Sequence, residues 1–115
     1  MAEQFGGNRD VAVGINDTLS VGGDRQENVG RNMSSSVQAN QTLVVGKDLA
    51  VTVGKNLRIS AADSLELVCG SASIVMKKDG TIVIKGKDVS ILASGKITAK
   101  GSGDMLLKGS KIFQN

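Results

Sequence analysis

The chain has 115 residues with fifteen Gly, no Pro, Trp, Tyr or His, and two aromatic residues, Phe5 and Phe113. That length allows one domain at most, and without aromatic rings any core must be built from Val, Ile, Leu and Ala. Fourteen Lys and Arg against eleven Asp and Glu leave a mild +3, with charges interspersed and densest at Lys77-Lys78, which argues against a nucleic-acid binder.

Residues 1–10 read as a poorly ordered leader, and Met1 to Gly7 contain no apolar signal-peptide core. No stretch approaches the roughly 18 apolar residues that a membrane-spanning helix needs. From Val11 onward the chain falls into rows of eight without insertions, beginning at Val11, Leu19, Glu27, Ser35, Leu43, Val51 and so on to Leu107. The third column of these octads reads Val13, Val21, Val29, Val37, Val45 and Val53, then loosens to Ala61 and Cys69. The fourth carries Gly14, Gly22, Gly30, Gly46, Gly54, Gly70 and Gly86, and the sixth is largely Asn or Asp. A repeat of this regularity decides the fold class before any other feature.

Columns seven, one and three lie two residues apart, so a strand sets them on one face. In the front rows that face includes Asp17, Arg25, Glu27 and Gln41, which predicts polar groups, water or ions inside and a less rigid portion. From Leu43 it is apolar, as in Leu43, Val45, Leu49, Val51, Val53, Leu57 and Ile59, while Thr52, Arg58 and Ser60 alternate with them. The Gly-x-Asn/Asp segment is expected to turn a corner, with glycine supplying a positive φ and Asn or Asp a local hydrogen bond.

The stretch from Ser73 to Lys85 resists this phase, because Lys77 and Lys85 fall in the valine column. Either those lysines point out, or the pleat slips so that Ile74, Met76, Ile82 and Ile84 share the inner face. Asp79-Gly80 is also a hairpin signal. Beyond it the apolar columns resume through Val89, Ile91, Ile97, Ala99, Met105 and Leu107.

A helix is excluded, since an eight-residue stripe drifts around a 3.6-residue cylinder and each internal glycine costs roughly 1 kcal/mol. A meander of hairpins is less natural, because Gly precedes Asn here and hairpin turns favour the reverse order. Corners that turn about a third of a circle make three octads one coil of a triangular β-prism. A lone chain would stack only about 20 Å of such coils at the usual strand spacing and leave two open sheet edges, an aggregation hazard. Three intertwined chains would extend the prism to roughly 60 Å with their strands paired. The expected fold is therefore an all-β, intertwined trimeric β-helix without a stable folded monomer.

The octads Val-Ala-Val-Gly-Ile-Asn at 11–16, Leu-Val-Val-Gly-Lys-Asp at 43–48 and Val-Thr-Val-Gly-Lys-Asn at 51–56 resemble the valine-glycine repeat (VgrG) spike of type VI secretion systems. They are also similar to the central tail-spike needle of contractile phages. The stretch 72–115, with Ile-Val-Met-Lys-Lys-Asp-Gly-Thr-Ile-Val-Ile-Lys-Gly-Lys-Asp at 74–88, looks like the distal end of such a spike. The family's hub-like N-terminal base is absent, which suggests a C-terminal fragment.

The resemblance implies a homotrimeric needle that caps a tube of stacked rings and is driven through a target envelope. It also implies a conical PAAR-type tip protein or effectors at the C-terminal end, and a tube ring protein reached through the base. The expected route is cytoplasmic assembly, then signal-free export through type VI secretion into or beyond the target cell, with transient passage through its membrane.

The remaining residues offer little chemistry. Missing His removes the usual general base and metal ligand, and one cysteine, Cys69, allows no intrachain disulfide. Cys69 reads as a small apolar filler, with a redox or metal site on the threefold axis as the sharper alternative. Gly-Gly-Asp at 22–24 hints at calcium, against a period of eight rather than nine. Ser34-Ser35-Ser36 has no His partner for a nucleophile, and no phosphate loop occurs. The lysines of Gly-Lys-Asp at 46–48 and 86–88 read as solvated corners. Ile112, Phe113, Gln114 and Asn115 form the one apolar-tipped end, readable as a docking plateau for a tip protein or as an ordinary closing strand. The expectation is a non-enzymatic puncturing spike without cofactor or metal. The alternative is a phage tail-fibre stalk or adhesin spacer, weakened by the scarcity of aromatic and Arg anchors. An ice-binding solenoid fails because its threonines do not align in one column.

Overall fold

The structure is a computed structural model and describes residues 3–115; the first two residues of the expected leader lie outside it. The chain divides into two units, Met1–Leu49, described from Glu3 onward, and Ala50–Asn115. The described residues contain no helix, and the only ladder-paired strands lie in the second unit.

In the first unit the backbone runs extended between short bends. The bends fall at residues 6–7, 14–15, 22–23, 30–31, 38–39 and 46–47, and the second unit continues them at 54–55 and 62–63. This is the octad written in the backbone: a straight segment, then a corner at columns four and five. Gln38 and Ala62 turn the corner as Gly14 and Gly54 do. The expected positive φ is not used there, because the described chain adopts it only at Gly70 and Gly80. The corners are made in ordinary backbone conformations, which is why residues with a Cβ are accepted at them.

At Ser64 the pattern changes. Strands β1 (Ser64–Cys69), β2 (Ala72–Lys77) and β3 (Ile82–Lys85) form an antiparallel meander in the order β1-β2-β3. The octad β-helix expected from residue 11 to 115 is thus interrupted by hairpins over 64–85. Cys69 pairs with Ala72 across Gly70-Ser71, and Gly70 has φ 56°. A positive φ at the first of two central residues is the type II′ arrangement, whose twist matches that of the strands it joins. Gly70 thus closes a hairpin instead of turning the prism corner expected of column four.

The β2–β3 connection is the hairpin signalled by Asp79-Gly80. Gly80 N–H donates to the Lys77 carbonyl at 3.0 Å and Lys77 N–H to the Thr81 carbonyl at 2.9 Å. Gly80 takes φ 91°, the left-handed residue that closes a three-residue loop with a bulge. The Asp79 carboxylate accepts a hydrogen bond from Thr81 N–H at 3.0 Å.

The register also settles the pleat. Leu65 lies opposite Met76 and Met76 opposite Ile82; Leu67 lies opposite Ile74 and Ile74 opposite Ile84. Directly opposed residues share a face, so Leu65, Leu67, Ile74, Met76, Ile82 and Ile84 line one side of the sheet. Lys77 and Lys85 occur on the other, opposite Ser64 and Ser73. After β3 the extended-and-bent pattern returns, with bends at 87–88, 94–95, 102–103 and at Ser110.

Candidate assembly surface

Along the extended segments alternate residues point to opposite sides. The six valines of column three expose between 42% and 49% of their surface, whereas Val44, in column two, exposes 85%. Among the described residues none is buried, and the apolar side of the sheet is likewise uncovered by the chain itself. The chain presents 12998 Å² of accessible surface. A folded monomer of this mass would present about 6000 Å².

The backbone is equally unpartnered. Outside the three-stranded sheet and its turns, the described residues make no backbone–backbone hydrogen bond within the chain. Amide and carbonyl groups are obligatory hydrogen-bonding groups, and an extended segment that leaves both its edges free is a template for pairing with another chain. Backbone edges and apolar columns therefore await partners together in the same segments.

The corner glycines Gly14, Gly22, Gly30, Gly46 and Gly54 stand at the bends, and a Cβ added at any of them would meet nothing within 4 Å in the chain. Gly86 comes just before the bend at 87–88, where a Cβ would touch the Val89 side chain at 3.4 Å. Within each unit the structure brings neither the valines nor these glycines together. Ile112, Phe113, Gln114 and Asn115 are exposed and extended. Cys69 is exposed at the end of β1, on the side of the sheet that carries Leu67.

Polar features are sparse. Arg25 and Glu27, in columns seven and one, approach to 3.9 Å with both side chains exposed, a contact worth at most about 1 kcal/mol in water. The Arg9 guanidinium lies 5.6 Å from the Phe5 ring centre. The Thr81 backbone amide, then the Thr81 side chain, hold the Asp79 carboxyl below its ordinary value. Among the described residues no group of three or more His, Cys, Asp or Glu is placed to hold a metal ion. The open depressions beside the sheet are lined mainly by sheet residues and their flanks.

These features define an all-β repeat chain that does not complete a core of its own. Residues 1–76 match the family of the bacteriophage T4 gp5 C-terminal trimerisation domain, and the chain belongs to that family. The gp5 domain is the needle of a contractile phage, and the match is consistent with the resemblance carried by the octads. No curated protein matches the sequence.

Proposed function

We propose that three copies of this chain intertwine into a triangular β-prism that serves as the puncturing spike of a contractile, phage-tail-like apparatus. One observation carries the reading: apolar columns and free backbone edges coincide along the same extended segments, and neither is satisfied within the chain. Membership in a trimerisation-domain family supplies the number of chains. Three copies would cover the valine columns and pair the strand edges, and the resulting stiffness is the working property. The role is mechanical, without enzymatic chemistry.

The octads and the distal 74–88 stretch favour the type VI secretion setting. There the spike is assembled in the cytoplasm and exported without a signal peptide. Its C-terminal end at Ile112–Asn115 would receive a PAAR-type tip protein or effector, and its tube ring would attach through a base upstream.

Light scattering on the purified chain tests the assembly, with an expected mass three times the 11.9 kDa of one chain. A persistent single-chain species overturns it. Replacing the matching segment of a functional secretion spike with this chain should preserve delivery, and with the Val53→Asp variant should abolish it. Equal delivery by both would remove the mechanical role.

A further inference from the structure

The net charge of +3 conceals a division along the chain. Residues up to Leu49 carry four basic and six acidic side chains; Ala50–Asn115 carries ten basic and five acidic. Toward the C-terminus the excess is made of lysine alone: Lys96, Lys100, Lys108 and Lys111 face a single carboxylate, Asp104.

The backbone assigns these lysines a side. Residues 96–101 and 104–109 run extended between bends, so alternate residues point to opposite faces. Ile97, Ala99, Met105 and Leu107 belong to the apolar columns. Lys96, Lys100 and Lys108 fall on the other side, and Lys111 follows the bend at Ser110. Leu106 shares that outer side in its segment and Leu92 does so one octad before Lys100; they expose 86% and 93% of their surface.

We propose that this outer surface of the C-terminal octads binds anionic lipid headgroups, with Lys96, Lys100, Lys108 and Lys111 meeting phosphates and Leu92 and Leu106 entering the interfacial layer. Lysine-rich surfaces gather at anionic membranes through the surface potential, and apolar residues interleaved with lysine add the short-range contribution of interfacial binding. A nucleic-acid surface would call for Arg or several stacking rings, and this segment has no Arg and only Phe113. The inference rests on the spike reading for its biological sense, since it concerns the end that would meet the target first. It does not rest on that reading for its chemistry.

Flotation of the full chain with vesicles tests it. Phosphatidylcholine vesicles containing one part in three phosphatidylglycerol should bind at least tenfold more chain than phosphatidylcholine alone. About 0.5 M NaCl, which roughly halves the screening length relative to 0.1 M, should release it. The combined Lys96→Gln, Lys100→Gln, Lys108→Gln and Lys111→Gln variant should lose most of the binding while keeping its mass by light scattering. Leu92→Ser with Leu106→Ser should weaken binding without altering its salt dependence.

Equal binding to both vesicle types, no binding to either, or binding unchanged in the lysine variant overturns the proposal. So does tighter binding to a DNA duplex than to anionic vesicles at the same salt. Light scattering on the same samples separates the two ideas. A trimer that ignores anionic vesicles defeats the lipid surface alone, and a monomer that binds them defeats the spike alone.

Discussion

Val44 and Val45 are adjacent in sequence and alike in chemistry, yet Val44 exposes 85% of its surface and Val45 42%. The difference is one of side: Val45 stands in the valine column and Val44 on the opposite face of the extended segment.

A charge on either side therefore has different consequences. Val53→Asp would bring three unpaired carboxylates into the shared interior, at a cost of several kcal/mol each. Thermal melting and light scattering should show loss of the trimer. Val44→Asp, on the outer side, should melt within about 0.5 kcal/mol of the parent. Similar behaviour of the two variants would contradict the assignment of sides.

Arg25 and Glu27 occupy columns seven and one, which hold Leu49 and Val51 three octads later. Once three chains cover that face, Glu27→Gln alone leaves a guanidinium uncompensated and should destabilise the assembly by roughly 3 kcal/mol. The joint Arg25→Leu, Glu27→Val variant should be neutral or more stable. A double-mutant cycle by denaturant unfolding measures the coupling, and a value near zero would place the pair in solvent.

Acid should loosen the β2–β3 turn. Because its bond from the Thr81 amide holds the Asp79 carboxyl below its ordinary 3.8, the unfolded chain binds more protons in that range and stability rises with pH. The contribution is complete above the ordinary value and is lost as pH falls through the lower native one. Protection of the Thr81 amide from hydrogen exchange should follow this course. Asp79→Asn should keep a capping oxygen and abolish the acid step.

Two kinds of glycine should respond differently to alanine. At Gly80 and Gly70, with φ 91° and 56°, a Cβ costs about 1–2 kcal/mol. At Gly54 it should cost only a few tenths of a kcal/mol, because Ala62 and Gln38 occupy equivalent corners. A melting series of Gly54→Ala, Gly70→Ala and Gly80→Ala checks the order, and equal losses would refute it.

The octad was legible because each row needs one straight segment and one corner, and the backbone bends at Gln38 and Ala62 as it does at Gly54. The conformation of those corners was not, since glycine permits a positive φ without requiring it. Asp79-Gly80 announced its hairpin. Gly70-Ser71 did not, because Gly70 falls in the corner column and a two-residue turn and a prism corner both accept glycine. Where sequence left the pleat of 73–86 open, cross-strand pairing of Ile74 with Ile84 decided it. The lysine surface was obscured by averaging: a mild total charge hides a basic C-terminal portion beside an acidic beginning.

The meander of β1, β2 and β3 differs from the rest of the described chain in satisfying its own ladder. Local hairpins close in roughly 1–10 μs, long before three diffusing molecules can meet. A newly made polypeptide can therefore close this meander by itself, whereas the association of three copies must wait on encounter. Dilution should slow maturation steeply, and output should depend on how many copies are synthesised close together.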